Sequence, residues 1–239
     1  MSAILKIDNL WGGYTKYVDI LRGISLEVNS GETLGIIGLN GSGKSTFGKA
    51  IMNMIPIRRG SIELAGKHIE NLSTHQLSNC GLAIMQQGGQ VFQTMTVLEN
   101  LELAFGSKKD SQFRDFIFKN IPLLKEKDNT LLKRTADKLS GGQRHQLALA
   151  MTLATEPSFI ILDEPSAGLS PVAVESMYSL LSDVKESLGI TIVLIEQNIN
   201  KAISFCDRCI LLSQGSIGRE FSGMNIDEMR MEIMKQLGL

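Results

Sequence analysis

The chain has 239 residues, 43% of them apolar and 21% charged, a globular balance that suits one large domain or two lobes around a cleft. Its 24 basic and 25 acidic residues leave a net charge of −1, so the chain lacks the overall basic character of a nucleic-acid or membrane-surface binder. Its three cysteines argue against a disulfide scaffold, and we expect Cys206 and Cys209 to be thiols at a corner between a helix and a strand.

The sequence contains no run with the layout of an export signal or a membrane span. The first residues continue into an alternating strand pattern, and the longest apolar runs, such as 190–195, are strand-sized. A bilayer-spanning helix needs roughly 18–20 apolar residues. We therefore expect a cytoplasmic chain whose role at a membrane comes through a partner.

In chain order, the first pattern is a set of strands that ends in a phosphate-binding motif. Alternating apolar residues predict antiparallel strands over the first 30 residues, and the apolar run 33–37 predicts a buried strand. That strand leads into Gly38-Leu39-Asn40-Gly41-Ser42-Gly43-Lys44-Ser45, a full match to G-x-x-x-x-G-K-[ST]. A helix should follow over about 45–54 and stop before Pro56.

This motif assigns chemistry to individual residues. Glycines at 38, 41 and 43 allow backbone N–H groups to approach phosphate oxygens closely, and the following helix adds its positive N-terminus. Lys44 supplies a charge toward the β and γ phosphates, and the Ser45 hydroxyl is a ligand suited to Mg²⁺. The residues expected here to bind the nucleotide are Gly38, Asn40, Gly41, Ser42, Gly43, Lys44, Ser45 and Thr46.

A second glycine-rich run opens a helix in the middle of the chain. Leu139-Ser140-Gly141-Gly142-Gln143 leads into a helical pattern over 141–155, and a helix N-terminus of this kind binds anions. It comes about a hundred residues after Lys44, beyond a mostly helical stretch. A head-to-tail pair of chains, each closing the other's site, is the economical way to bring both elements to one γ-phosphate.

Two carboxylates follow the next buried strand. The apolar run 159–162 leads directly into Asp163 and Glu164, at the strand end where α/β folds place ligands. We expect Asp163 to hold Mg²⁺ through water and Glu164 to polarise the attacking water as general base. Strand patterns at 190–195 and 209–212 alternate with helices and predict a parallel sheet. The methionine-rich tail, 226–237, predicts a helix that folds back onto the core.

In this order and spacing, the motifs resemble the ATP-binding cassette (ABC) ATPase family over nearly the whole chain. The resemblance implies an α/β P-loop NTPase fold: a RecA-like core with an antiparallel β-subdomain and an inserted α-helical subdomain. It implies that 1–87 and 158–222 form the core, 88–157 the helical signature subdomain, and 223–239 a C-terminal helix.

The resemblance also implies further site residues. Gln87 corresponds to the loop glutamine that senses Mg²⁺ and water, and residues 166–170 correspond to a loop that contacts the second subunit. Tyr14 corresponds to the aromatic residue that stacks on adenine, with Tyr17 or Trp11 as alternates and a plain surface tyrosine as the competing interpretation. The signature residues expected at the nucleotide are Ser140, Gly141, Gly142 and Gln143.

Within the family, the chain resembles the LivF-type subunits of branched-chain amino-acid importers. The run 163–171 followed by 195–198 carries this resemblance, with Gln197 where most of the family has histidine. We expect Gln197 to donate a hydrogen bond to the γ-phosphate. Two stretches differ from the usual LivF-type pattern: Gln143-Arg144-His145 replaces Glu-Gln-Gln, and the loop 85–89 lacks the usual Val-Pro-Gln-Gly-Arg.

The resulting prediction is an ATP- and Mg²⁺-dependent ATPase subunit of a membrane ABC transporter, an importer of branched-chain amino acids or a related small polar solute. Its partners would be transmembrane permease subunits and a second ATPase subunit, a paralogue or a copy of itself, on the cytoplasmic face of the inner membrane. The alternative is a soluble ABC ATPase of a cytosolic assembly, of the iron–sulfur scaffold type. A DNA-repair ATPase would need a long coiled coil before the signature, for which the sequence has no heptads.

Overall fold

Strands and helices alternate along most of the computed structural model, which describes residues 2–15, 17–106, 111–125 and 130–237. The strands are β1 (Ala3–Gly12), β2 (Leu21–Asn29), β3 (Thr33–Ile37), β4 (Ile57–Leu64), β5 (Lys67–His68), β6 (Leu82–Met85), β7 (Phe159–Asp163), β8 (Thr191–Glu196), β9 (Arg208–Ser213) and β10 (Ser216–Phe221). The helices are α1 (Lys44–Ile51), α2 (Thr74–Asn79), α3 (Val97–Phe105), α4 (Gln112–Asn120), α5 (Gly141–Ala154), α6 (Pro171–Leu188), α7 (Ile199–Phe205) and α8 (Ile226–Leu237).

The chain divides into two compact units. The first unit comprises Met1–Leu82 and Thr191–Leu239, and the second comprises Ala83–Ile190. The chain therefore leaves the first unit once and returns to it once. The finer division expected from the sequence, into 1–87 with 158–222, 88–157 and 223–239, stays a prediction.

The first unit contains an antiparallel sheet and a set of parallel strands. The antiparallel sheet has the order β2-β1-β4-β5. In the same unit, β3 pairs in parallel with β8 on one side and with β9 on the other. Strand β10 pairs antiparallel with β9. Every residue of β3 and β8 is buried, which explains why both read as continuous apolar runs rather than alternating ones.

The register of the parallel strands places their functional ends together. Ile37, the last residue of β3, pairs with Glu196 at the end of β8 and with Leu211 of β9. Parallel strands present their carboxyl ends at one edge of a sheet, so the residues that follow β3 and β8 emerge at the same edge.

In its described residues, the second unit combines two neighbouring strands with four α-helices. Strands β6 and β7 are adjacent, and the residues of β7 are all buried. Helix α5 packs against α3, α4 and α6. Pro171 occupies the first turn of α6 and Ser170 caps it, a combination typical of a helix start.

Helix α1 is shorter than the sequence pattern predicts. It ends at Ile51 rather than near Met54, because Asn53 adopts a positive φ of 52°. The Asn53 amide donates hydrogen bonds to the carbonyls of Ile69 (2.6 Å) and Leu72 (2.9 Å), which hold the chain in this turn. Residues 52–54 are therefore an irregular connection to β4.

The C-terminal helix folds back onto the first unit, as its pattern predicts. Met229 and Ile233 of α8 are buried in a cluster with Ile37, Leu211 and Phe221. Cys206 and Cys209 are thiols, not a disulfide, at the corner between α7 and β9, also as predicted. Among the described residues, no helix has both the length and the apolar character needed to cross a bilayer.

Candidate functional site

The phosphate loop, residues 38–45, connects β3 to α1. Gly43 precedes the helix with a φ of 104°, a conformation that residues with a side chain rarely adopt. The side chain of Lys44 is 5% exposed, and its ammonium donates to the carbonyls of Gly38 (2.9 Å) and Leu39 (3.1 Å). The loop therefore surrounds the buried ammonium group of Lys44 at the N-terminus of α1. This arrangement suits a bound phosphate chain.

Gln197 lies at the same sheet edge as the phosphate loop, because it follows Glu196, the register partner of Ile37. Glu196 is 3% exposed, and one of its carboxylate oxygens accepts the backbone N–H groups of Gln197 (3.0 Å) and Asn198 (3.1 Å). Asn198 caps α7 by accepting from the Lys201 N–H. The exposed Gln197 is therefore not the cap of α7, and no motif in the sequence indicates that Glu196 fixes this turn.

In the second unit, the structure brings Gln87 and Glu164 together. Asp163 ends β7 and is 3% exposed, while Glu164 is 6% exposed and has a positive φ of 48°. The side-chain amide of Gln87, from the loop after β6, donates to a carboxylate oxygen of Glu164 (2.8 Å). A glutamine and a carboxylate predicted from separate motifs thus form one hydrogen-bonded pair.

The signature residues form the start of α5. Ser140 and Gln143 make a reciprocal capping box: the Ser140 hydroxyl accepts the Gln143 N–H (3.3 Å), and the Gln143 side chain accepts the Ser140 N–H (3.0 Å). Gly141 lies near Leu169, and a side chain at Gly142 would press on the Ala173 methyl group. Ser140 itself is exposed, so the N-terminus of α5 is accessible to an anion.

Three aromatic residues near the start of the chain differ in their surroundings. Tyr14 is 52% exposed, and the Lys49 ammonium of α1 lies 5.7 Å from its ring centre. The Trp11 ring is covered by the Arg59 guanidinium at 4.3 Å, and Tyr17 is 93% exposed. Of the three, Tyr14 is the one that has an open face and lies beside the helix that follows the phosphate loop.

The residues expected to hold Mg²⁺ offer oxygen donors, which this hard cation prefers. They are the Ser45 hydroxyl at the start of α1, the Asp163 carboxylate and the side-chain carbonyl of Gln87. Because the Gln87 amide nitrogen is directed at Glu164, its carbonyl oxygen points elsewhere. Each of these side chains therefore has a donor atom of the kind that fits the cation.

A buried asparagine shapes the segment that follows the Gln87 loop. Asn100 is completely buried; its amide donates to the carbonyls of Phe92 (3.0 Å) and Thr96 (2.9 Å), and its oxygen accepts the Phe92 N–H (2.8 Å). Phe92, held in this way, is 51% exposed, whereas Val91 is partly buried. Nothing in the sequence pattern pointed to Asn100 as the residue that holds this segment.

The chain is similar to known proteins over nearly its whole length. A family model described as "ABC transporter" matches residues 21–167. The high-affinity branched-chain amino acid transport ATP-binding protein BraG of Pseudomonas aeruginosa is 32% identical over 217 residues, 90% of this chain and 91% of the relative. The lipopolysaccharide export system ATP-binding protein LptB of Haemophilus influenzae is 30% identical over 216 residues, 90% of this chain and 89% of the relative.

Solved structures with the same fold include nucleotide-bound forms. The ADP conformation of an ATP-binding cassette of an ABC transporter superposes with a TM-score of 0.80 at 29% identity, over 96% of this chain and 94% of that one. A dimeric, post-hydrolysis state of another cassette, bound to ADP and phosphate, gives a TM-score of 0.79 at 25% identity, over 92% of this chain and 99% of that one.

Proposed function

This chain belongs to the ABC transporter ATP-binding family, and from that premise we propose that it powers an importer of branched-chain amino acids or a related small polar solute. As a cassette of this family it is an ATPase, it works as a dimer, and it acts with transmembrane permease subunits. The observation that carries the choice of solute is the 32% identity to BraG over about nine-tenths of both chains.

We assign the chemistry of hydrolysis to the carboxylate of Glu164, in the second unit. Glu164 would act as general base on the attacking water, and the hydrogen bond from Gln87 supports this role because it orients the carboxylate at the end of β7. Gln197 would donate a hydrogen bond to the γ-phosphate from the edge where the phosphate loop begins.

The binding of ATP would use both glycine-rich elements. The phosphate loop and Lys44 would hold the phosphates, and Tyr14 would stack on adenine. The N-terminus of α5, with Ser140 to Gln143, would close on the nucleotide held by the other subunit. Ser45, Gln87 and Asp163 would hold Mg²⁺, which neutralises phosphate charge when bound.

The link to the permease would run through the segment after Gln87. Phe92 is exposed while Asn100 holds its backbone on both sides, so it offers an apolar anchor of defined position. Such an anchor suits a helix of a membrane partner. With that partner, the subunit would lie on the cytoplasmic face of the inner membrane.

The first test is the substitution Glu164→Gln. We expect nucleotide binding to be retained and turnover to fall about 10²-fold or more, because the water loses its base while the phosphate-binding groups remain. Equilibrium ATP binding, steady-state hydrolysis and sizing with Mg-ATP in the presence of the permease measure this. Glu186→Gln, an exposed glutamate on α6, is the control for charge. Turnover of Glu164→Gln at the wild-type rate would contradict the assignment.

The second test concerns partner and solute. Affinity purification from membranes should recover a polytopic permease chain, and ATPase activity of the reconstituted complex should rise with leucine, isoleucine or valine. The similarity to LptB supports a second candidate, the ATPase of a lipopolysaccharide exporter. Stimulation by lipopolysaccharide and not by amino acids would favour it, and recovery of a soluble partner alone would favour a cytosolic assembly.

A further inference from the structure

The hairpin turn between β9 and β10 lies against the phosphate loop. Gln214 and Gly215 form this two-residue turn with φ values of 48° and 82°, and Ser213 pairs with Ser216 across it. Positive φ at both central residues is the geometry of a type I′ hairpin. Gly215 is buried, which is unusual for the tip of a hairpin.

Hydrogen bonds fix the turn on two sides. On one side, the Gly215 carbonyl accepts the Arg22 N–H of β2 (2.8 Å), and the Ser216 hydroxyl donates to the Arg22 carbonyl (3.0 Å). On the other side, the Gly215 N–H donates to the Ser42 carbonyl of the phosphate loop (2.9 Å). The turn therefore connects a strand of the antiparallel sheet to the loop that would hold the nucleotide.

The hydrogen bond to the Ser42 carbonyl determines the direction of the next backbone N–H group, that of Gly43. In a planar trans peptide, the carbonyl of one residue and the N–H of the next point in opposite directions. Because the Ser42 carbonyl faces Gly215, the Gly43 N–H faces away from it. Backbone N–H groups in this type of loop are the donors that surround phosphate oxygens.

We propose that Gly215 is a positioning residue for nucleotide binding: by holding the Ser42 carbonyl, it aims the Gly43 N–H at a bound phosphate. The proposal rests on the ATP-binding function assigned to the phosphate loop. It adds a residue far from that loop in sequence, which acts on the loop through its own backbone N–H.

The space around Gly215 admits no side chain. A Cβ there would lie 1.7 Å from the Ile20 carbonyl oxygen and 2.9 Å from its carbonyl carbon. These are backbone atoms next to β2, so they cannot turn aside as a flexible side chain could. An alanine must displace the turn, and the displaced turn would take its N–H away from Ser42.

A second hairpin in the same unit provides a matched control. Ala65 and Gly66 form the two-residue turn between β4 and β5, with φ values of 48° and 79°. A Cβ at Gly66 would meet nothing within 4 Å. Gly66→Ala therefore imposes the same backbone strain as Gly215→Ala without a collision and away from the phosphate loop.

The experiment compares Gly215→Ala with Gly66→Ala by calorimetric titration with ADP and by thermal unfolding without nucleotide. We expect Gly66→Ala to lower the melting temperature while its Kd for ADP stays within about twofold of wild type. Gly215→Ala should weaken ADP binding about tenfold or more, because a donor to a charged phosphate is misdirected. Equal Kd values for the folded variants would overturn the proposal.

A measurement on the wild-type chain covers the case in which Gly215→Ala does not fold. Amide hydrogen exchange by NMR should show the Gly215 N–H protected, with its protection rising on ADP binding while that of Gly66 does not change. An unprotected Gly215 amide, with and without ADP, would overturn the proposal. Failure of the wild-type chain to bind ADP at all would instead contradict the proposed function.

Discussion

At the scale of single residues, the turn after β8 shows how a charged side chain can serve the backbone. Glu196 is almost fully buried, and its carboxylate accepts two consecutive N–H groups, those of Gln197 and Asn198. The backbone of Gln197 is therefore fixed while its side chain extends from the sheet edge where the phosphate loop begins. A side-chain amide can donate a hydrogen bond to a phosphate without reorganisation when its own backbone is already fixed.

For Gln197, we predict that replacement by alanine lowers ATP turnover about 10²-fold, because the transition-state phosphate loses a positioned donor. Gln197→His should retain activity and add an inflection to the rate profile between about pH 6 and 7, since imidazole can take up a proton there and an amide cannot. Steady-state rates of the complex with its permease, over a range of pH, measure both effects.

The control for this prediction is Asn200→Ala, an exposed amide on the neighbouring turn of α7. It should hydrolyse ATP at the wild-type rate. If Gln197→Ala does the same, Gln197 is only a surface residue beside the capped helix.

At the scale of elements, helix starts were predictable where a cap and an apolar pattern coincide. The box of Thr96 and Glu99 and that of Ser140 and Gln143 both precede helices that bury several residues, and both appear in the sequence. Helix α2 has the same signal, Ser73 with Gln76, but it buries only Leu77, so no periodicity accompanies its cap. Strand β10 is missed because it is a largely polar edge strand that depends on pairing with β9.

The residues of the candidate site also differ in whether the sequence can reveal them. Residues whose chemistry requires a certain side chain at a certain spacing, such as Lys44 and Glu164, can be proposed from the sequence. Gly215 cannot, because it acts through its own backbone groups, and Asn100 cannot, because the partners of its side chain are backbone groups. A hydrogen bond between backbone groups leaves no signature in residue types, and the contact of Gly215 with Ser42 spans most of the chain.

The capping box at α3 gives a prediction about pH. Hydrogen bonds from the Thr96 backbone N–H and then from its hydroxyl hold the pKa of Glu99 below its usual range. A lowered pKa means that the carboxylate stabilises the fold above the ordinary value of about 4.3, and that this contribution is lost as the pH falls through the lowered value. Glu99→Gln should therefore destabilise the protein at pH 6, with a difference from wild type that shrinks toward pH 3.

Urea unfolding of wild type and Glu99→Gln at both pH values measures this difference. Glu102→Gln removes the same charge from the same helix outside the capping box and serves as the control. A difference between wild type and Glu99→Gln that is the same at pH 6 and pH 3 would contradict the role of the carboxylate.

At the scale of the whole molecule, the two glycine-rich elements should act in different chains of the dimer. We predict that Lys44→Ala and Ser140→Asp are each inactive alone but restore activity when mixed, because a mixed dimer contains one site with both wild-type elements. Aspartate caps a helix as well as serine does, so Ser140→Asp should keep α5 intact while its charge repels phosphate. ATPase activity measured against the mixing ratio should rise to a maximum near equal amounts.

The control mixes Lys44→Ala with the double variant Lys44→Ala/Ser140→Asp, a combination that produces no wild-type site in any pairing. It should remain inactive at every ratio. If the first mixture also stays inactive although the variants exchange subunits, each chain forms its site alone and the head-to-tail arrangement is wrong.

The position of β3 between β8 and β9 has a consequence for how the protein is made. A ribosome must extend the chain from Ile37 to Thr191 before either neighbour of β3 exists, and to Ser213 before both do. At about 5–20 residues per second this takes on the order of ten seconds or more, during which an apolar strand has no sheet to join. The contiguous stretch Ala83–Ile190 can collapse in that interval. The strand that carries the phosphate loop, by contrast, gains its neighbours only during the last fifth of translation.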